Sequence, residues 1–163
     1  MATVEVTFTP LPAHVRTARL VATAVARRSG VDESLLDEVR LAVGEACSRA
    51  VEAHRRHCPA EPVRIEMTDQ DQRFVVTVSD HAPTVPARSA APAIDNGIHD
   101  GAGHDDTGHD GIGYEAIGHD GGSAIPAGFG LAVISGLAED VRVLSTSSGV
   151  SVRMSWPSTA TAS

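Results

Sequence analysis

The chain has 163 residues, enough for one domain with a real core, and its 42% apolar and 21% charged residues are those of an ordinary globular protein. A formal charge of −8 excludes direct nucleic-acid binding by clustered Lys and Arg and suits a basic protein partner better. Cys47 and Cys58, outside any CxxC or CxxH spacing, exclude a disulfide framework and a structural zinc site. No charged start leads into an apolar run and no apolar stretch approaches the ~20 residues of a membrane span, so no membrane association and a cytoplasmic location are expected. Aromatics are 3% of the chain, so Val, Leu, Ile and Ala must fill the core.

Alternation of Val4, Val6 and Phe8 predicts a half-buried strand over residues 3–8, broken by Pro10 and Pro12. Val15, Ala18, Ala22 and Val25 then recur at helical spacing over 13–29, where Arg27, Arg28, Ser29 and Gly30 form a helix terminus. A second helix is expected from Asp32, as N-cap, to about residue 56. Its apolar stripe is Leu36, Val39, Val43, Ala46, Cys47 and Ala50; Arg55, Arg56 and His57 complement the dipole, and Pro59 ends it. A hairpin follows, with Val63, Ile65 and Met67 on one strand, Phe74, Val76 and Val78 on the other, and the polar residues 69–72 as its turn.

Between about residues 84 and 126 the periodicity stops. Five degenerate pentads, GIHDG, AGHDD, TGHDG, IGYEA and IGHDG, run from Gly97 to Gly121. Such a composition cannot bury enough apolar area to offset its ordering entropy, so a low-complexity, mobile loop is expected. Order resumes with a helix over 128–138, strands over 141–146 and 150–156, and a turn at Ser147, Ser148 and Gly149. The expected organisation is one domain over 1–157 containing the 84–126 loop, then a disordered tail over 158–163. The element order makes this an α+β fold, an α/β sandwich whose mixed, mostly antiparallel sheet carries helices on one face.

Three segments resemble the GHKL ATPases. Glu45 to Arg49 within DEVRLAVGEACSRAVEAH is similar to the N-box helix, Val78-Ser79-Asp80 to the first glycine box, and Gly128-Phe129-Gly130-Leu131-Ala132-Val133-Ile134 to the second. The single-domain length and LAVGEACSRAV most resemble the bacterial anti-sigma factors that double as serine-protein kinases. The resemblance implies a Bergerat-type, histidine kinase-like ATPase fold, with the 84–126 loop in place of the ATP lid.

The resemblance also implies roles. Glu45 matches the glutamate that activates the attacking hydroxyl. Arg49 stands where an asparagine holds Mg²⁺; a guanidinium has no acceptor, which argues against Mg²⁺ and against kinase activity. Glu45 and Arg49 are also spaced as an ordinary helical ion pair, and Arg49 could instead contact a nucleotide phosphate. Asp80 matches the acceptor for the adenine amino group, although Ala82, Pro83 and Thr84 replace the glycines after it; a strand-ending turn is its simpler role. Gly128, Gly130 and Leu131 would offer helix amides to a phosphate. Ser151 lies one place from the family's adenine-side threonine, where Val150 now stands.

ATP or ADP is therefore the implied cofactor, and no metal site is assigned. Arg19 on the first helix matches the family's contact for sigma factor and antagonist, with Arg16 one turn earlier; solvated helix arginines are the simpler alternative. The expected function is an anti-sigma regulatory factor binding a sigma factor and an anti-sigma antagonist with a weakened or lost ATP site, with a homodimer left open. The alternatives are an active serine-protein kinase, and metal binding or pH sensing through His99, His104, His109 and His119.

Overall fold

The computed structural model describes residues 2–83 and 127–159; Met1, residues 84–126, where the mobile loop is expected, and residues 160–163 lie outside the described residues. In chain order the elements are β1 (Ala2–Phe8), α1 (Pro12–Arg28), α2 (Leu36–His57), β2 (Val63–Gln70), β3 (Arg73–Ser79), α3 (Ala127–Leu137), β4 (Asp140–Thr146) and β5 (Gly149–Pro157). The five strands form one sheet in the order β1-β2-β3-β5-β4, and each pairing among the described residues is antiparallel.

Register follows the apolar alternation. Val6, Ile65, Val78, Val152 and Val143 stand in one row across the sheet, and Val4, Met67, Val76, Met154 and Val141 in the next. Phe74 pairs with Trp156 beyond them. A slip of one residue in any strand would turn its whole apolar set to the other face, so these rows lock one another. The core lies between this face and the helices: α1 and α3 pack on α2, and α2 packs on β2 and β3. Ala18, Ala22 and Ala26 of α1 and Ala42, Ala46 and Ala50 of α2 are fully or almost fully buried, so small side chains bring the layers close. The Trp156 indole N–H donates to the Leu137 carbonyl at 2.8 Å and ties β5 to the end of α3.

The other sheet face is polar. Glu5 and Glu66 stand directly opposite each other, and one Arg64 Nη2 donates to both, at 2.8 and 2.9 Å. This relieves a like-charge pair that would otherwise weaken the ladder.

Helix termini follow local chemistry. Gly30 adopts φ +79° after α1; its N–H reaches the Arg27 carbonyl and the Val31 N–H reaches the Ala26 carbonyl, a Schellman arrangement with Val31 buried against it. Asp32 does cap, its carboxylate accepting from the Ser34 N–H at 2.9 Å, but what it caps is a 3-10 turn (Glu33–Leu35), and α2 begins at Leu36. The hairpin turn is two residues, not four. Asp71 and Gln72 take φ 53° and 59° while pairing continues to Asp69↔Phe74 and Gln70↔Arg73. Ser158 and Thr159, expected in the tail, are instead held to the fold. Ser158 is buried, its N–H donating to the Gln72 carbonyl, and Thr159 donates from both N–H and hydroxyl to the Gly30 carbonyl, which fastens the chain end to the α1 terminus.

Candidate functional site

α2 carries Glu45 and Arg49 one turn apart, and the end of β3 carries Asp80. The structure joins Arg49 to Asp80. Arg49 Nη2 donates to Asp80 Oδ2 at 2.7 Å, and the Asp80 side chain is 1% exposed against 21% for Arg49. Asp80 Oδ1 accepts from the Val150 N–H at 3.1 Å and the Ala82 N–H at 3.2 Å. Asp80 also donates its own N–H to the Val150 carbonyl at 2.9 Å, extending the β3–β5 ladder past Ser79. A carboxylate so deep in the protein is tolerable because its charge is paired and both oxygens are hydrogen-bonded. The helical ion pair between Glu45 and Arg49 is not formed; the guanidinium turns to the sheet, and Glu45 is half-buried without a hydrogen bond or ion pair to described residues.

The close approach at Asp80 requires Gly149. Its φ is +148°, and a Cβ there would stand 2.0 Å from the Asp80 carbonyl oxygen. Ser151 is not brought to this place. In the β5 alternation it points away from the Val152 face, and its hydroxyl pairs with that of Ser79 at 2.8 Å on the polar side of the sheet. Asp80, two residues beyond Val78, belongs to the opposite, helix-covered side.

His54 was not among the residues the sequence singled out. It is fully buried; its Nδ1 is 2.8 Å from the Glu61 carbonyl and its Nε2 2.8 Å from the His81 N–H. A carbonyl can only accept and a backbone N–H only donate, so the proton sits on Nδ1 and the neutral ring clamps the segment after Asp80. The readable sign was a histidine four residues beyond Ala50, on the apolar stripe of α2. Cys58 nearby has its thiol pushed up, first by burial and then by the charges of Glu61 and Asp80.

The glycines of the third motif, Gly128 and Gly130, fall in the first turn of α3, and Leu131 packs against the core. A cavity of about 180 Å³ is lined by Leu35 and Glu38 near the start of α2 and by Gly136 and Leu137 at the end of α3, and the two helices pack together. Of the three motifs, the structure joins the first two, through Arg49 and Asp80.

Arg19 lies elsewhere, in the seam between α1 and α2. Its guanidinium rests on Gly44, where a Cβ would stand 2.1 Å from Arg19 Nε. It is half-buried, its Nε has no acceptor, and no carboxylate of the described residues pairs with it. Cys47 is next to it: burial pushes that thiol up to about 12, opposed by the Arg19 charge. Arg16 is exposed, Leu20 is 60% exposed and Leu41 is 48% exposed. A second cavity, about 450 Å³, lies between β1 and α1 and is lined by Val6, Phe8, His14 and Val21 among others.

Among the described residues no group of His, Cys, Asp and Glu could hold a metal ion, and no helix is long and apolar enough to cross a membrane. His99, His104, His109 and His119 lie outside the described residues. The residues present do not fit a Mg²⁺-nucleotide. Arg49 offers donors only where a cation needs oxygen, and its charge is already spent on Asp80.

Comparison with known proteins agrees with this frame. The chain is similar in fold to the RsbU and RsbW domains of Rv1364c from Mycobacterium tuberculosis, with a TM-score of 0.59 at 14% identity, covering 97% of this chain and 33% of that one. The chain thus spans about a third of the length of that protein. No curated protein matches in sequence. The model of the histidine kinase-like ATPase domain matches residues 8–156. This match covers most of the chain, and the chain belongs to the histidine kinase-like ATPase domain family.

Proposed function

We propose that this chain is an anti-sigma regulatory factor that holds a sigma factor, releases it to an anti-sigma antagonist, and works as a cytoplasmic binding protein rather than as a kinase. The supporting observation is Arg19. A half-buried guanidinium, seated on Gly44 and without a counterion among the described residues, is a costly arrangement for this part of the fold and a useful one for a partner that supplies a carboxylate. Arg16, Leu20 and Leu41 give the same surface further charge and exposed apolar area. The fold likeness to the RsbU and RsbW domains of Rv1364c supports the same reading.

The test is binding of the purified chain to the sigma factors and antagonists of its own organism. Arg19→Ala is expected to weaken the complex by about tenfold or more without lowering the melting temperature of the free domain. Absence of any complex with the native chain overturns the reading. The kinase alternative is separated by incubating the chain with labelled ATP and the same antagonists: phosphate transfer that Glu45→Ala abolishes would make it an enzyme.

A further inference from the structure

We infer that Arg49 is an internal ligand: it occupies the buried Asp80 carboxylate so that this domain holds its shape without a nucleotide and responds to neither ATP nor ADP. The inference goes beyond partner binding, since it concerns the free domain alone.

The argument is one of donors and acceptors. Asp80 Oδ2 is taken by Arg49 Nη2 and Oδ1 by two backbone N–H groups. A base that offers an amino group to Asp80 would meet the guanidinium first, donor against donor. Moving Arg49 aside would strand a carboxylate whose side chain is 1% exposed, and uncompensated buried charge is strongly disfavoured. A divalent cation finds no oxygen on Arg49, whose guanidinium has donors only. The surroundings keep the pair in place: Gly149 lets β5 press on the Asp80 carbonyl, and His54 clamps His81. Arg49 itself is anchored mid-helix on α2, between the buried residues Ala46 and Ala50. The pair therefore does inside one chain what a bound ligand would do, bridging α2 to the β3 end.

Thermal melting and calorimetric titration with millimolar ATP and ADP, each with and without Mg²⁺, test this. The wild-type chain is expected to give no saturable heat and a melting shift below about 1 °C, whereas saturating ligand would raise it by about 5 °C or more. Arg49→Asn should gain a nucleotide-dependent shift. A saturable response in the wild type overturns the proposal, as does a folded Arg49→Asn that still ignores nucleotide. Should Arg49→Asn not fold, Arg49→Gln, which keeps an amide facing Asp80, replaces it, and the wild-type titration decides by itself. Loss of nucleotide blindness in the wild type would leave the Arg19 surface untouched, so the two readings fail separately.

Discussion

A Cβ placed on Gly44 would stand 2.1 Å from Arg19 Nε, whereas one on Gly149 would stand 2.0 Å from the Asp80 carbonyl oxygen. The first obstacle is the end of a flexible side chain; the second is backbone, at a φ of +148°. The two alanine variants should therefore part company. Gly44→Ala displaces Arg19 outward and costs under about 1 kcal/mol in urea unfolding, yet weakens partner binding as Arg19→Ala does. Gly149→Ala must move β5 off Asp80 and costs about 3 kcal/mol, because strain and clash add there. Equal losses in the two variants would count against this distinction. None of this was legible in the sequence: GEA and SGV read as a motif and a turn, since nothing in a string of letters shows which side chain will cross a glycine.

At the scale of elements, the order strand, helix, helix, hairpin, helix, hairpin was legible throughout because apolar alternation and helical spacing are local. Ends were less so. β2 runs to Gln70, beyond the last apolar residue, because pairing with β3 continues to Gln70↔Arg73 and only Asp71 and Gln72 are left to turn. Both adopt positive φ without being glycine, which costs stability. Gln72→Gly is expected to raise stability by about 0.5–1 kcal/mol, read as a higher melting temperature. A lower one would show that the Gln72 side chain supports the turn.

For the molecule as a whole, the buried thiol of Cys47 links stability to pH. Its native pKa is raised from an ordinary 9.0 to about 12, mainly by burial. Between those values the native state keeps a proton that the unfolded chain releases, so stability is full below about pH 9 and declines as pH rises toward 12. Denaturant unfolding measured from pH 8 to 11 (about that range suffices) should show the decline, and Cys47→Ala should flatten it. A decline unchanged in Cys47→Ala would assign it to another group. The same burial predicts that thiol reagents spare Cys47 in the native protein.

Periodicity, glycine and proline placement, and charge determined by themselves the class of fold, the number and order of elements, and the helix-to-sheet layering. These depend on the period of each segment, which a sequence displays. Tertiary structure alone decided where the charges went. Arg49 had Glu45 one turn behind it and Asp80 thirty-one residues ahead, and paired with Asp80 because the carboxylate at the β3 end was buried and in need of a cation. Arg19 found no counterion at all among the described residues. Long side chains choose partners by distance and burial in space, and neither quantity exists until the sheet and helices are packed.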